Sequence, residues 1–556
     1  MSKKIFVAIV IVLLVASLAV FADNATVKYG GILRTVVDWG PLAFNLNPLG
    51  PNGLPVMPEI YESLFFPNIM TGEMIPVLGV SYKWGDQNLK LIVETRKGVE
   101  WSDGVPFTAR DVAFTFNYIK RYPALDESGI WSPLSYLKTV EASGENTVVF
   151  TFSKPNLPLL VYISSQYIVP EHIWTNIEDP AKWINPNPVG TGPFLFKSFD
   201  AQNSVTTLIK NPNYWMKNRP YIDEILVGSV NSDSMALLEL LKHDIDWVYL
   251  YIPNVQKTFA DRDPSINKFW WPVGNIYVLY LNTLKYPFNL ATFRKAISIA
   301  IDKQACEEKA YFNIGGVANP TGILPTQMKE WFDPTLSAAA SELNSYNPQK
   351  AQELLASIGF KKNPAGQLCD PQGNPLPTFK IIVGAGWTDY ITMAQIISQN
   401  LKVLGIDTIV EQQAMSTYMS SVMTATYDMA ICWGVPENEI TPYYLYYWAF
   451  NPAFSAAEIG KTAISDWSRY TNPLITSALQ VYAQTEDINI QKEALYTIEG
   501  IILKEVPFIP LAYACRRDNF SEYRFTGWPS AEDPYCDGSA ISMLGGRIVT
   551  LNVHLK

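Results

Sequence analysis

Strict alternation of apolar and polar residues marks the strands of this chain, and apolar residues at three- and four-residue spacing mark its helices. Leu89, Leu91, Val93 and Thr95 fall on one side, and Lys90, Ile92 and Glu94 on the other, so residues 89–95 predict a strand. Asp103-Gly104 is a turn dipeptide. Thr108, followed three residues later by Asp111, supplies an N-cap oxygen and a first-turn carboxylate ahead of Val112, Phe116 and Ile119, which predicts a helix. The β-formers of residues 147–152 predict a further strand. Prolines 155, 158, 170, 180, 186 and 188 then leave room only for short helices. Residues 58–65 read as a short helix. Ala236, Leu237, Leu240 and Leu241 have helical spacing within 232–246, and residues 275–282 predict a strand.

Residues 379–383 predict a strand, 391–404 an amphipathic helix stopped by Gly405, and 406–411 the next strand. A right-handed crossover makes such strands a parallel pair, and loops at the carboxyl ends of parallel strands hold ligands in α/β folds. Trp387 sits on such a loop. Residues 427–434 repeat the arrangement, with Trp433 just past a strand end, and residues 493–506 predict another helix.

Charge and composition narrow the partners. The chain has 556 residues and a net charge of −10, with no basic cluster. Nucleic acid is thereby disfavoured, because its phosphates need Lys and Arg, and so is an anionic membrane surface. Charged residues are 17% and aromatics 13%, a balance that suits a neutral ligand with flat apolar faces. At the start, Lys3 and Lys4 precede the apolar run 5–20, and Val20-Phe21-Ala22 offers small residues to a signal peptidase. Residues 1–22 are expected to be a cleaved signal peptide, an uncleaved anchor being the alternative. No Cys follows the run, which argues against a lipoprotein anchor and for a periplasmic address.

Catalytic chemistry has little to stand on. His172, His243 and His554 are far apart, and there is no G-x-S-x-G elbow or H-E-x-x-H helix. Gly460-Lys461-Thr462 lacks the earlier glycine of a phosphate loop, since Ser455 stands there. Glu437 and Glu439 as a glycosidase pair would need a defined carboxyl separation that alternate loop residues do not fix. Cys306, Cys369, Cys432, Cys515 and Cys536 form no C-x-x-C pair, so a thiolate metal site is poorly supported. Cys515 and Cys536 are the nearest in sequence for a disulfide, and an odd count leaves at least one thiol free. No enzyme activity, metal or cofactor is expected.

Several blocks, in order, carry a resemblance. Residues 94–118 read E-T-R-K-G-V-E-W-S-D-G-V-P-F-T-A-R-D-V-A-F-T-F-N-Y; V-G-T-G-P-F begins at Val189, N-P-N-Y-W at Asn211 and P-Y-I-D-E-I at Pro220. R-K-A-I-S-I-A-I-D-K runs from Arg294, and V-P-F-I-P-L from Val506. The order resembles the family 5 extracellular solute-binding proteins, the receptors of peptide-type and some oligosaccharide ABC transporters. The resemblance implies an α/β, two-lobed periplasmic binding protein fold with a discontinuous first lobe and an inserted subdomain. Its divisions would be 23–64, 189–274 and 529–556 for the first lobe, 65–188 for the subdomain and 275–528 for the second lobe. It further implies a monomer that closes on its ligand and delivers it to permease subunits with their ATPases.

Ligand contacts are carried over position by position. The loop after the first strand, with Trp39 and Asn45, faces the cleft in relatives, although Trp39 could equally plug that strand. Gly190, Thr191 and Gly192 would offer main-chain groups from a cleft wall. Many peptide-binding relatives have an Asp two or three residues past the Trp equivalent to Trp433, which pairs with the peptide ammonium. Here Gly434-Val435-Pro436 intervenes, so Glu437 or Asn438 would have to serve from a shifted position. The missing carboxylate and the supply of rings at Trp271, Trp387, Trp433, Tyr443 and Tyr446, with Asn275 nearby, point to a β-linked, cello-oligosaccharide-like ligand, with an oligopeptide as the alternative. Each ring alone is more often core than platform.

Overall fold

A computed structural model describes residues 27–37, 42–230, 232–434 and 440–556. The expected signal peptide lies outside them, as do Trp39, Glu437 and Asn438. Among the described residues, no helix is long and apolar enough to cross a membrane.

Two sheets organise the molecule. The first has seven strands in the order Asn267–Trp270, Asp518–Ser521, Trp247–Tyr249, Ile32–Val37, Glu224–Ser229, Val205–Lys210 and Phe194–Asp200. The second has five, in the order Thr408–Gln413, Phe379–Gly384, Met429–Trp433, Val273–Leu281 and Ile509–Cys515. Phe379–Gly384 runs parallel to both its neighbours, as the spacing of 379–411 predicts. The chain crosses between sheets at Val273 and returns between Cys515 and Asp518. Residues 518–521 therefore belong to the first sheet, and the return comes earlier than the expected boundary at 528.

A third sheet of four strands, Gly79–Gly85, Lys90–Thr95, Thr147–Phe152 and Leu137–Ala142, lies within residues 65–188. Its alternation is direct: Leu91, Val93 and Thr95 are buried while Lys90, Ile92 and Glu94 are only partly so. The helix Ala109–Arg121 begins as its sequence predicts. Thr108 Oγ1 accepts from the Arg110 amide, and the Asp111 carboxylate accepts from the Thr108 amide at 2.9 Å. Val93, Phe116 and Phe150 share one core with Leu33, Trp247 and Phe520 of the first lobe. At its far side this subdomain touches the second lobe, where the Leu157 amide donates to Ala483 O at 2.9 Å and Tyr444 Oη to Pro158 O at 3.0 Å.

The expected helix at 58–65 is shorter, Met57–Ile60, because Phe65 already belongs to a strand. The segment just after that helix ties together three separated stretches of chain. The fully buried Glu62 carboxylate accepts from Arg547 Nη1, Tyr214 Oη and Trp215 Nε1, each at 2.8 Å. The N-P-N-Y-W block thus serves as a clamp on the carboxylate of the Ile60-Tyr61-Glu62 segment.

Gly190 and Gly192 complete the same seam. A Cβ on Gly190 would sit 1.9 Å from Ile60 O, and one on Gly192 2.3 Å from Glu59 O. Gly190→Ala is therefore expected to destabilise by about 1–3 kcal/mol or more, since backbone rather than a mobile side chain must yield. The chemical denaturation midpoint measures it, and a wild-type midpoint would show that the seam can relax.

Beside Glu62, Glu59 is fully buried with Thr550 Oγ1 donating to it at 2.8 Å. Burial pushes its carboxyl up to about 8, against the lowering influence of Thr550 and Arg547. An unfolded Glu titrates near about 4.3, so above that pH the unfolded chain binds fewer protons than the folded one. Stability from this group is whole at low pH and declines as pH rises towards about 8, by at most ~1.4 kcal/mol per pH unit. Glu59→Gln is expected to flatten the fall in melting temperature between about pH 5 and pH 8; an unchanged slope assigns the decline to other groups.

All five cysteines are buried free thiols, Cys515 and Cys536 included.

Candidate functional site

The two sheets meet across a cleft at the carboxyl ends of Ile32–Val37 and Phe379–Gly384. Two adjoining cavities occupy it, of about 320 and 250 Å³. Val37, Tyr249, Tyr251 and residues 540–543 wall it from the first lobe; Trp387, Asp389 and Trp433 wall it from the second. Asp233, in the first turn of Asp233–Leu241, and Arg517, on the return crossing, line both cavities.

Local structure sets each side chain. Trp387 precedes the helix Thr388–Val403, and its ring lies over Gly384, where a Cβ would come within 2.5 Å of the indole. Trp433 ends the strand Met429–Trp433, its carbonyl accepting from Tyr280 Oη. The two indoles meet with centroids 5.9 Å apart and planes inclined at 56°. Asp389, buried at the head of the helix, accepts from Tyr277 Oη at 2.7 Å and from Arg517 Nη2 at 3.3 Å. Arg517 Nη2 also donates to Tyr277 Oη at 2.9 Å, and its guanidinium lies 5.0 Å from the Tyr251 ring centre. The cleft therefore offers indole faces beside a cation, a carboxylate held by Tyr277 and that cation, and the Asp233 carboxylate of the first lobe.

Of the residues singled out from sequence, Trp387 and Trp433 come together here. Asn275 lies beside Gly434, where a Cβ would be 3.0 Å from its Oδ1, but it lines neither cavity, and its Oδ1 accepts from the Ile276 amide. The others are taken up elsewhere. Gly190 O accepts from the Ser102 amide of the subdomain and the Gly192 amide donates to Ile60 O, so these main-chain groups are used within the fold, and Thr191 is buried there. Asn45 closes its own loop, its Oδ1 accepting from the Asn47 amide and its Nδ2 donating to Pro51 O. Trp271 is buried behind Tyr251, with Nε1 donating to Asn519 Oδ1 at 3.2 Å. Tyr443 stacks on Tyr482, centroids 4.5 Å apart, at the contact with the subdomain; Tyr446 is fully buried in the second-lobe core.

Arg517, Asp389, Tyr251 and Asp233 were not singled out. One signal was available for Arg517: with Arg516 it follows Ile509–Cys515, a strand buried at every position, and charges at the end of such a strand need partners. The groups that meet it come from residues 251, 277 and 389, and no sequence spacing links them.

Comparison with known proteins bears on this geometry. A Thermotoga maritima crystal structure, described as a periplasmic oligopeptide-binding protein of an oligopeptide ABC transporter, superposes with a TM-score of 0.86 at 28% identity, covering 94% of this chain and 99% of that one. A mannohexaose-bound structure with the same description and organism gives a TM-score of 0.79 at 28% identity, covering 94% and 98%. The peptide transport periplasmic protein SapA of Salmonella typhimurium is 23% identical over 482 residues, 82% of each chain. The family model for bacterial extracellular solute-binding proteins, family 5 Middle, matches residues 73–456. With well over half its length matched, this chain belongs to the bacterial extracellular solute-binding proteins of family 5.

Proposed function

We propose that this protein is the extracytoplasmic receptor of an ABC importer, which captures a short peptide by closing its lobes on it and delivers it to the permease. One observation carries the reading: Asp233 from the first lobe and Arg517 from the crossing line the same cavities. A ligand bearing both an ammonium and a carboxylate meets a countercharge of each sign there, and lobe closure would bury it between them. SapA, named as a peptide transport periplasmic protein, supports the same ligand class and a periplasmic location. The receptor role needs no catalytic constellation.

A second reading, a β-linked oligosaccharide, rests on different observations. Trp387 and Trp433 present indole faces of the kind that pack on pyranose rings, and a relative at 28% identity binds mannohexaose. Arg517 and Asp389 are hydrogen-bonded to each other, and such planar groups also suit hydroxyls.

Thermal-shift measurements against mixed tri- and tetrapeptides, manno-oligosaccharides and cello-oligosaccharides decide between them, because a ligand that binds only the folded state raises the melting temperature. A shift of several degrees with peptides alone is expected. A shift with oligosaccharides alone would overturn the peptide reading and retain the receptor; turnover of any of them would overturn the receptor.

A further inference from the structure

A larger cavity, of about 620 Å³, lies between the inserted subdomain and the second lobe, outside the cleft described above. Its volume is within the range of small-molecule sites. Tyr82 and Trp84 wall it from the subdomain; Trp331, Tyr444 and Tyr482 wall it from the second lobe. Glu73 and Glu486 face it from opposite sides. No Lys, Arg or His is among the described residues that line it, and neither carboxylate takes part in an ion pair among the described residues.

Two carboxylates without a cation, set among five aromatic rings, make an environment in which positive charge is favoured and negative charge is not. Ring faces attract cations, Trp most strongly, and a carboxylate from each side adds Coulomb attraction. Trp331 and Tyr482 hold one another with centroids 6.0 Å apart, so that wall is already ordered. Trp84 is braced on Phe152 at 5.4 Å.

From this we infer a second binding site, between subdomain and second lobe, for an organic cation carried on an apolar body. Its walls come from both sides of the subdomain–lobe contact, so an occupant links the two.

Choline serves as the probe, and 3,3-dimethyl-1-butanol, which has the same shape without the charge, as the control. Calorimetric titration of the full protein is expected to show choline binding and binding of the alcohol about tenfold weaker or less. The doubly substituted Glu73→Gln/Glu486→Gln protein, changed only at exposed positions, is expected to fold normally and to lose choline affinity by a similar factor. Absence of choline binding, or equal affinity for both compounds, would overturn the proposal. So would binding that falls in Trp433→Ala and persists in the double Gln variant, because that pattern assigns choline to the main cleft.

Discussion

Replacing Arg547 with Met is expected to destabilise the protein by about 3–5 kcal/mol, the loss typical when one partner of a buried ion pair is removed. Arg547 and Glu62 are almost completely buried, with side-chain exposures of 2% and 0%, and 2.8 Å apart. Without the guanidinium, Glu62 keeps the Tyr214 and Trp215 donors but loses the cation that pairs with it directly, and Arg96, stacked over Trp215, acts on it only through space. The consequence is not local. Glu62, Tyr214 and Arg547 belong to three stretches that the inserted subdomain and the second lobe separate in sequence, so loosening the pair loosens the first lobe. Adding Glu62→Gln removes the unpaired charge and should return part of the loss. Denaturation midpoints of the single and double variants measure both effects; a single variant as stable as wild type would mean that the first lobe is held without this pair.

Trp433→Ala is expected to weaken ligand binding by about thirtyfold or more while leaving the fold intact, the size of effect that truncating a central indole has in a packed binding site. Trp433 ends its strand and is only partly buried, with Trp387 on one side and Trp467 on another. Trp387→Ala should behave differently. Its ring also packs on Tyr390 and Tyr418 and fills the space over Gly384, so both stability and affinity should fall. Titration with whichever ligand raises the melting temperature, set beside unfolding of each variant, separates the two outcomes. Equal affinity of wild type and Trp433→Ala would remove this residue from the site.

The comparison of the two tryptophans shows where sequence reasoning holds. Both were placed by strand period and helix onset, which are local properties of the chain, and both line the cleft. Tyr443 and Tyr446 are as aromatic as either, yet they lie in the helix Tyr443–Phe450, Y-Y-L-Y-Y-W-A-F, which has no polar face. Such a helix gives no local sign of which side meets a ligand, and its neighbours bury most of it. The glycines at 190 and 192 are similar. A close backbone approach was legible, but its partner was not a ligand; it is the main chain at residues 59 and 60.

Neighbours along the chain govern everything that the sequence determined by itself. Alternation placed the strand at 90–95, Thr108 and Asp111 placed a helix start, and the 379–411 pattern placed a parallel pair. The ordered motifs identified the family. Tertiary structure alone decided the chemistry of the cleft, because Arg517, Asp389, Tyr277 and Asp233 are up to 284 positions apart and become one site only when two crossing segments bring the lobes together. It also decided that the family motifs around residues 62, 190 and 214 are seams of the first lobe. A hydrogen-bond partner hundreds of residues away leaves no periodicity to read, since it is chosen by packing and not by spacing.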